Sequence, residues 1–233
     1  MSEAPPNNSP RIKLDMIITI DGPSGAGKST VSKSVALLLG YTYLDTGAMY
    51  RAAALEVRRK AVDINDASGL ESLLRNTDIR IENTRGDNLR VILNGEDITD
   101  KIRTPEISRL SSDIATRRAV REKLVELQRN TGRAGNIVAE GRDMGTYVFP
   151  DADFKFFLEA SLDERARRRC KQLLESGSKS DIREVKNELE IRDRQDRERS
   201  ESPLHPSPNA VIIDTTNLLA DEVISMIIKE VQG

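Results

Sequence analysis

Met16-Ile17-Ile18-Thr19-Ile20-Asp21 runs straight into Gly22-Pro23-Ser24-Gly25-Ala26-Gly27-Lys28-Ser29-Thr30. An apolar run is followed at once by the pattern G-x-x-x-x-G-K-[ST], and then by a helix-like stretch through Leu39. That strand, loop and helix context separates a phosphate-binding loop from a chance glycine-rich turn. The glycines let backbone N–H groups turn inward around phosphate oxygens. Lys28 supplies a point charge for the β- and γ-phosphates, and the Ser29 hydroxyl is placed to ligate Mg²⁺. The following helix offers its positive N-terminus to the same anion. Gly22 through Thr30 therefore predict a bound nucleoside triphosphate, and leave open what becomes of its γ-phosphate.

Working outward, short apolar runs alternate with helical patterns, the signature of an α/β fold with a parallel sheet flanked by helices. Candidate buried strands are Met16–Asp21, Tyr41–Asp45, Asn136–Glu140, Phe154–Glu159 and Ala210–Asp214. The stretch from about Val62 to Ile107 breaks that rhythm. Asp78-Ile79-Arg80-Ile81-Glu82 alternates, Gly86-Asp87 supplies a turn, and Leu89-Arg90-Val91-Ile92-Leu93 returns, which is a hairpin pattern and reads as an insertion. From Pro105 one long helix is expected, carrying Ile107, Leu110, Ile114, Val120, Leu124 and Leu127. Gly177-Ser178-Lys179-Ser180 is a polar gap between two charged helices and a candidate mobile lid.

The chain has 233 residues, enough for one α/β domain with insertions or two small ones. No apolar run approaches a membrane span of roughly 18 residues, and residues 1–14 read as a polar tail rather than a secretory signal. A single cysteine, Cys170, excludes an internal disulfide and fits a reducing cytoplasm. The net charge of −2 gives no general attraction to nucleic acid. Arginines are nevertheless bunched, at Arg165, Arg167, Arg168 and Arg169, and at Arg192, Arg194, Arg197 and Arg199, which suits small anions.

Other triphosphate chemistries find less support. There is no N-K-x-D guanine reader. Asp214 ends an apolar run but is followed by Thr215-Thr216, so it reads as an ordinary strand-end carboxylate. His205, the one histidine, sits between prolines in a loop and is expected to be solvated and inert. A kinase acting on a hydroxyl must position a base to take the proton, and Asp143 is the only good candidate. A phosphate acceptor, with a second pKa of about 6, is already nucleophilic at neutral pH. Its difficulty is electrostatic, and arginine forks relieve it.

Two helical stripes and one turn support a phosphate acceptor. In a helix from Asp181 to about Ser200, Ile182, Val185 and Leu189 should face the core, and the same line continues into Arg192, Asp196 and Arg199. The alternative is surface pairing of Arg192 with Asp196 or Asp193 with Arg197. In the preceding helix, Leu162, Ala166, Cys170 and Leu173 make the buried side. Arg165, Arg168 and Arg169 fall on an adjacent face that could swing over the triphosphate or simply be solvated. Glu140-Gly141-Arg142-Asp143-Met144-Gly145 ends a predicted strand, where ligands of open α/β sheets sit.

These blocks together resemble the bacterial cytidylate kinase family. The resemblance rests on residues 18–28, on Leu44-Asp45-Thr46-Gly47-Ala48-Met49-Tyr50-Arg51, and on Gly141–Thr146 with Val148-Phe149-Pro150. Arg192-Asp193 through Asp196 completes it. It implies a nucleoside monophosphate kinase fold with core 15–61 and 111–232, a monophosphate-binding insert over 62–110, and a lid region over 174–190. It implies ATP and Mg²⁺ as donor and cofactor, CMP and dCMP as acceptors, and a monomer. Thr46, Tyr50, Ser112, Arg121, Asp143 and Arg199 would line the acceptor nucleotide, Arg51 and Arg142 would hold its phosphate, and Arg192 and Asp196 would reach its ribose. Lys28, Arg142, Arg168 and Arg192 would be the catalytic cations. Many relatives read G-K-G-T where this chain has Gly27-Lys28-Ser29-Thr30, and serine keeps a hydroxyl for the metal.

Overall fold

A computed structural model describes residues 15–83, 89–175, 177 and 180–233. Five parallel strands form the central sheet: β1 (Ile17–Asp21), β2 (Thr42–Asp45), β6 (Ile137–Gly141), β7 (Phe154–Glu159) and β8 (Val211–Asp214), in the order β2-β6-β1-β7-β8. All five expected strands are present. The register sets Ile20 beside Glu140, Asp21 beside Gly141, and Asp45 beside Glu140. Three strand ends therefore deliver acidic side chains to one carboxyl edge.

Parallel strands are buried on both faces, so their side chains split between two cores. In β6, Ile137 and Ala139 face one core while Val138 faces the other. The first core is covered by α2 (Thr46–Arg59), α3 (Ala67–Arg75), α4 (Pro105–Ile114) and α5 (Arg118–Gly132). The second is closed by α1 (Lys28–Leu39) and α8 (Ala220–Gln232). Helices α6 (Leu162–Glu175) and α7 (Ile182–Glu198) pack on each other through Ala166, Val185 and Leu189, with Leu162, Cys170 and Leu173 alongside.

The inserted segment carries the expected hairpin, β3 (Ile79–Asn83) against β4 (Leu89–Leu93), extended by the two-residue β5 (Glu96–Asp97). Its Gly86-Asp87 turn lies outside the described residues, as do residues 1–14 of the tail and 176, 178 and 179 of the lid region.

Two helical expectations need correction. The single long helix from Pro105 is two helices, α4 and α5, broken over 115–117. Ile107 and Ile114 are a heptad apart, but Val120 follows Ile114 by six residues, a lag of about 120° at 3.6 residues per turn. One straight helix could not bury both stripes; the break resets the phase, and Ile114 and Val120 are both fully buried. Ile182, expected to face the core, is 47% exposed; it is the first residue of α7 and stands outside the apolar cluster between α6 and α7. Among the described residues no helix is long and apolar enough to cross a membrane.

Candidate active site

The phosphate-binding loop joins β1 to α1 with three glycines at positive φ: Gly22 (145°), Gly25 (81°) and Gly27 (92°). A side chain at Gly22 would fall on the carbonyl oxygen of Leu158 in β7, so both shape and space require glycine. Lys28 is buried, and its Nζ donates to the Pro23 carbonyl at 2.7 Å. Burial first, and then the Arg142 charge, bring its pKa down to about 7.

The loop opens onto a cleft of about 610 Å³ at the carboxyl edge of the sheet. Ser24 through Thr30 line it, with Thr46, Tyr50, Arg51, Ser112, Arg142, Asp143, Arg168, Arg192, Asp196 and Arg199. Gly22 and Pro23 are buried behind the loop, and Arg121 stands behind Asp143, so these three do not touch the cleft. Every other residue assigned from the sequence to ATP, acceptor or metal binding does.

Beyond the loop, the cleft is organised around ion pairs. Asp143, only 5% exposed, takes a hydrogen bond from Arg121 and has Arg199 Nη2 at 3.5 Å. Arg121 also donates to the Tyr50 hydroxyl at 3.4 Å, and Tyr147 stacks over it at 5.6 Å. Arg142 Nε donates to Asp196 Oδ2 at 2.7 Å. The surface pairing of Arg192 with Asp196 is not what forms; Arg142 takes that carboxylate across 54 residues of sequence. Arg192 Nε is buried without a hydrogen-bond partner among the described residues. Burial and the repulsion of Arg142 lower Arg192 to about 10. Lost hydration and like charge both favour an incoming anion here.

The arginines of α6 separate into different roles. Arg168 bonds Glu164, the Thr215 hydroxyl and the Thr215 carbonyl at 2.8, 3.0 and 2.6 Å, and a methyl group on Gly27 would lie 3.8 Å from its Nη1. Arg168 thus stands beside the phosphate loop. Arg165, grouped with it by sequence, is instead buried and paired with Asp193 at 2.7 Å. It neighbours Ala166, so the α6–α7 contact claims it.

Several functional-looking groups carried no sequence signal of their role. Asp45 caps α2 through the Ala48 N–H at 2.8 Å and holds Arg51 at 3.1 Å. Its place just before a helical run was the available hint. Glu140 accepts from the Tyr43 hydroxyl, and burial raises its pKa. Asp21 accepts from the Met144 and Gly145 N–H groups at 2.9 and 2.8 Å, and burial pushes it up to about 6. It thereby fastens the single π-helical turn Met144–Val148 to the end of β1. His205 is exposed, its Nδ1 near the Pro206 carbonyl, and Asp214 caps the Thr216 N–H and hydroxyl.

A family model described as cytidylate kinase matches residues 18–233, nearly the whole chain. The chain belongs to the cytidylate kinase family. It is accordingly a kinase whose acceptor is a nucleoside monophosphate. The cytidylate kinase of Pelotomaculum thermopropionicum is 48% identical over 216 residues, covering 93% of this chain and 96% of that one. That of Desulfitobacterium hafniense is 45% identical over 217 residues, covering 93% of each. The Caldanaerobacter subterraneus cytidylate kinase is 46% identical over 221 residues, covering 95% of this chain and 96% of its own length.

Proposed function

We propose that the enzyme transfers the γ-phosphate of ATP directly to CMP or dCMP, giving ADP and the cytidine diphosphate. One observation carries the phosphate-acceptor reading. Among the described residues, the six carboxylates that line the cleft all have partners: Asp45 has Arg51, Glu140 has Tyr43, Asp143 has Arg121 and Arg199, Glu164 has Arg167 and Arg168, Glu175 has Lys171, and Asp196 has Arg142. Asp143, the one candidate base for a hydroxyl acceptor, has two guanidinium groups, Arg121 and Arg199, against its Oδ2. A phosphate dianion needs no base. An oxygen of the CMP phosphate forms its bond to the γ-phosphorus as the bond to the β–γ bridging oxygen breaks, and ADP leaves.

Lys28 and the loop N–H groups would hold the donor. Arg51, Arg142 and Arg192 would draw the acceptor phosphate toward it, and Arg168, next to Gly27, would stabilise the transferring group. Thr46, Tyr50, Ser112, Asp143 and Arg199 would read the acceptor nucleotide, with Arg121 supporting Asp143. Asp196 and Arg192 would meet the ribose. For Mg²⁺ the residues fit: the Ser29 hydroxyl is exposed at the loop and shares the cleft with the Asp45 and Glu140 carboxylates, a set of oxygen donors suited to a hard cation that would take its other ligands from phosphates and water. Bound there, Mg²⁺ would offset the negative charge of the triphosphate.

Segment 62–110 would act as the monophosphate-binding insert and 174–190 as a lid, closing to keep water from the γ-phosphate. The enzyme would work as a cytoplasmic monomer. Coupled ADP-release assays over CMP, dCMP, UMP, AMP, GMP and shikimate test the reading. CMP and dCMP should give the highest kcat/KM; turnover that no monophosphate stimulates, or that shikimate does, refutes it.

A further inference from the structure

We infer that Arg165 is a positioning residue for the phosphate-binding loop, fixing the direction of its N–H groups from behind while its buried ion pair with Asp193 ties the loop to α7. The inference rests on the reading that this loop binds ATP. A trans peptide is planar, so its carbonyl and the next N–H point in opposite directions. Pinning a loop carbonyl therefore aims an N–H. Three carbonyls of the loop are pinned by side chains. Pro23 accepts from Lys28 at 2.7 Å, Ser24 accepts from Arg165 Nη1 at 3.1 Å, and Ala26 accepts from the Thr215 hydroxyl at 3.1 Å. These fix the N–H groups of Ser24, Gly25 and Gly27. Lys28 is itself a phosphate ligand in the proposed function, so the side-chain pins independent of the ligand are Arg165 and Thr215, beside a backbone bond from the Ala26 N–H to the Pro23 carbonyl at 3.4 Å.

Arg165 is shaped for this task. It is 4% exposed and does not line the cleft, so it is not one of the cations facing substrate. Its guanidinium divides three ways: Nε to the Ala160 carbonyl at 3.0 Å, Nη1 to Ser24, and Nη2 to Asp193 at 2.7 Å. Only a planar, permanently charged fork serves three acceptors in fixed directions. The loop also rests on its stem, since a methyl group on Gly25 would lie 3.0 Å from Arg165 Cβ. Asp193 neighbours Arg192 and sits one turn before Asp196, so the same pair anchors the helix that carries acceptor-side residues.

The test separates positioning from mere stability by measuring ATP affinity calorimetrically, without acceptor, beside the melting temperature. Arg165→Met strands the Asp193 carboxylate and should lower both. Adding Asp193→Leu removes the stranded charge, and apolar replacement of a buried ion pair is commonly tolerated. The double variant should then recover most of its melting temperature while ATP binds about tenfold more weakly, the worth of a charge-assisted hydrogen bond. Recovery of wild-type ATP affinity together with the melting temperature overturns the inference. Should the double variant not fold, Arg165→Lys decides. It keeps a charge for Asp193 but cannot also fork to Ser24, so it should raise KM for ATP about tenfold with KM for CMP within about threefold. An unchanged KM for ATP overturns the inference. A wild-type chain that binds ATP but phosphorylates no monophosphate refutes the functional reading alone and leaves this inference standing; one that binds no ATP overturns both.

Discussion

Lys28 makes ATP binding a proton-linked event. Its ammonium lies 6% exposed, desolvated and repelled by Arg142, with Glu140, Asp196 and Asp21 only partly offsetting these effects, and its pKa is about 7 against 10.5 in water. At pH 8 only about a tenth of the free enzyme carries the Lys28 proton, and at pH 7 about half. A triphosphate against that nitrogen restores the charged form, so binding should take up about 0.9 proton at pH 8, about 0.5 at pH 7 and about 0.1 at pH 6. Affinity should then fall about tenfold per pH unit above 7, as deprotonation of the free enzyme competes with binding. Near pH 8 the phosphates of ATP, with second ionisations close to 6, are already fully charged and do not obscure the effect. Titration calorimetry with Mg²⁺ and ATP at pH 8, in Tris and in HEPES, reads the uptake as the slope of observed enthalpy against buffer ionisation enthalpy. Arg142→Leu removes the largest cause after burial and frees the Asp196 carboxylate; both changes raise the lysine pKa, so uptake should shrink in that variant. An uptake below about 0.2 proton in the wild type would mean that Lys28 is already charged when the site is empty, which would sink the argument.

The other expectations are more local. Asp143→Ala should cut kcat/KM for CMP by about 100-fold with ATP affinity retained, and lower stability by about 3 kcal/mol, because Arg121 and Arg199 lose their buried partner; unaltered CMP kinetics would remove Asp143 from the site. Asp21, raised from 3.8 to about 6, keeps its proton longer in the folded than in the unfolded chain, so its contribution to stability falls as pH rises through that window. Against Asp21→Asn, the wild type should therefore gain about 1 kcal/mol between pH 7 and pH 5 in urea unfolding, and a pH-independent difference would contradict this. Gly132→Ala would place a methyl group 2.8 Å from Phe149 Cζ inside the first core, and should cost about 1–3 kcal/mol despite the better helix propensity of alanine. A raised melting temperature would show that the ring yields.

What could be read from the sequence was whatever depends on neighbours in the chain. The phosphate loop is a contiguous word, and each of the five strands of the sheet announces itself as an apolar run. The cleft-lining residues beyond the loop were legible because they fall at strand ends and on helical lines that turn from apolar to charged. What escaped was partnership. Asp196 could be written equally well as the i,i+4 mate of Arg192 or as the mate of Arg142, 54 residues away, and only the packing of α7 against the carboxyl edge decides for Arg142. Arg165 and Arg168 are three residues apart and nearly the same in helical phase, yet one faces Asp193 and the loop's back while the other faces Thr215. Helical phase fixes where a side chain leaves the backbone; a long guanidinium then chooses among acceptors brought by other elements. The same reasoning explains why the sequence points to Asp143 alone as a candidate base. Asp21, Asp45 and Glu140 end three strands that are adjacent in the sheet but far apart in the chain, so a cluster of acids around Lys28 exists only after the order β2-β6-β1 has formed. That order also sets Glu140 and Asp21 beside Lys28, where with Asp196 of α7 they offset part of the effect of burial and Arg142; without them the amine would lie further toward its neutral form.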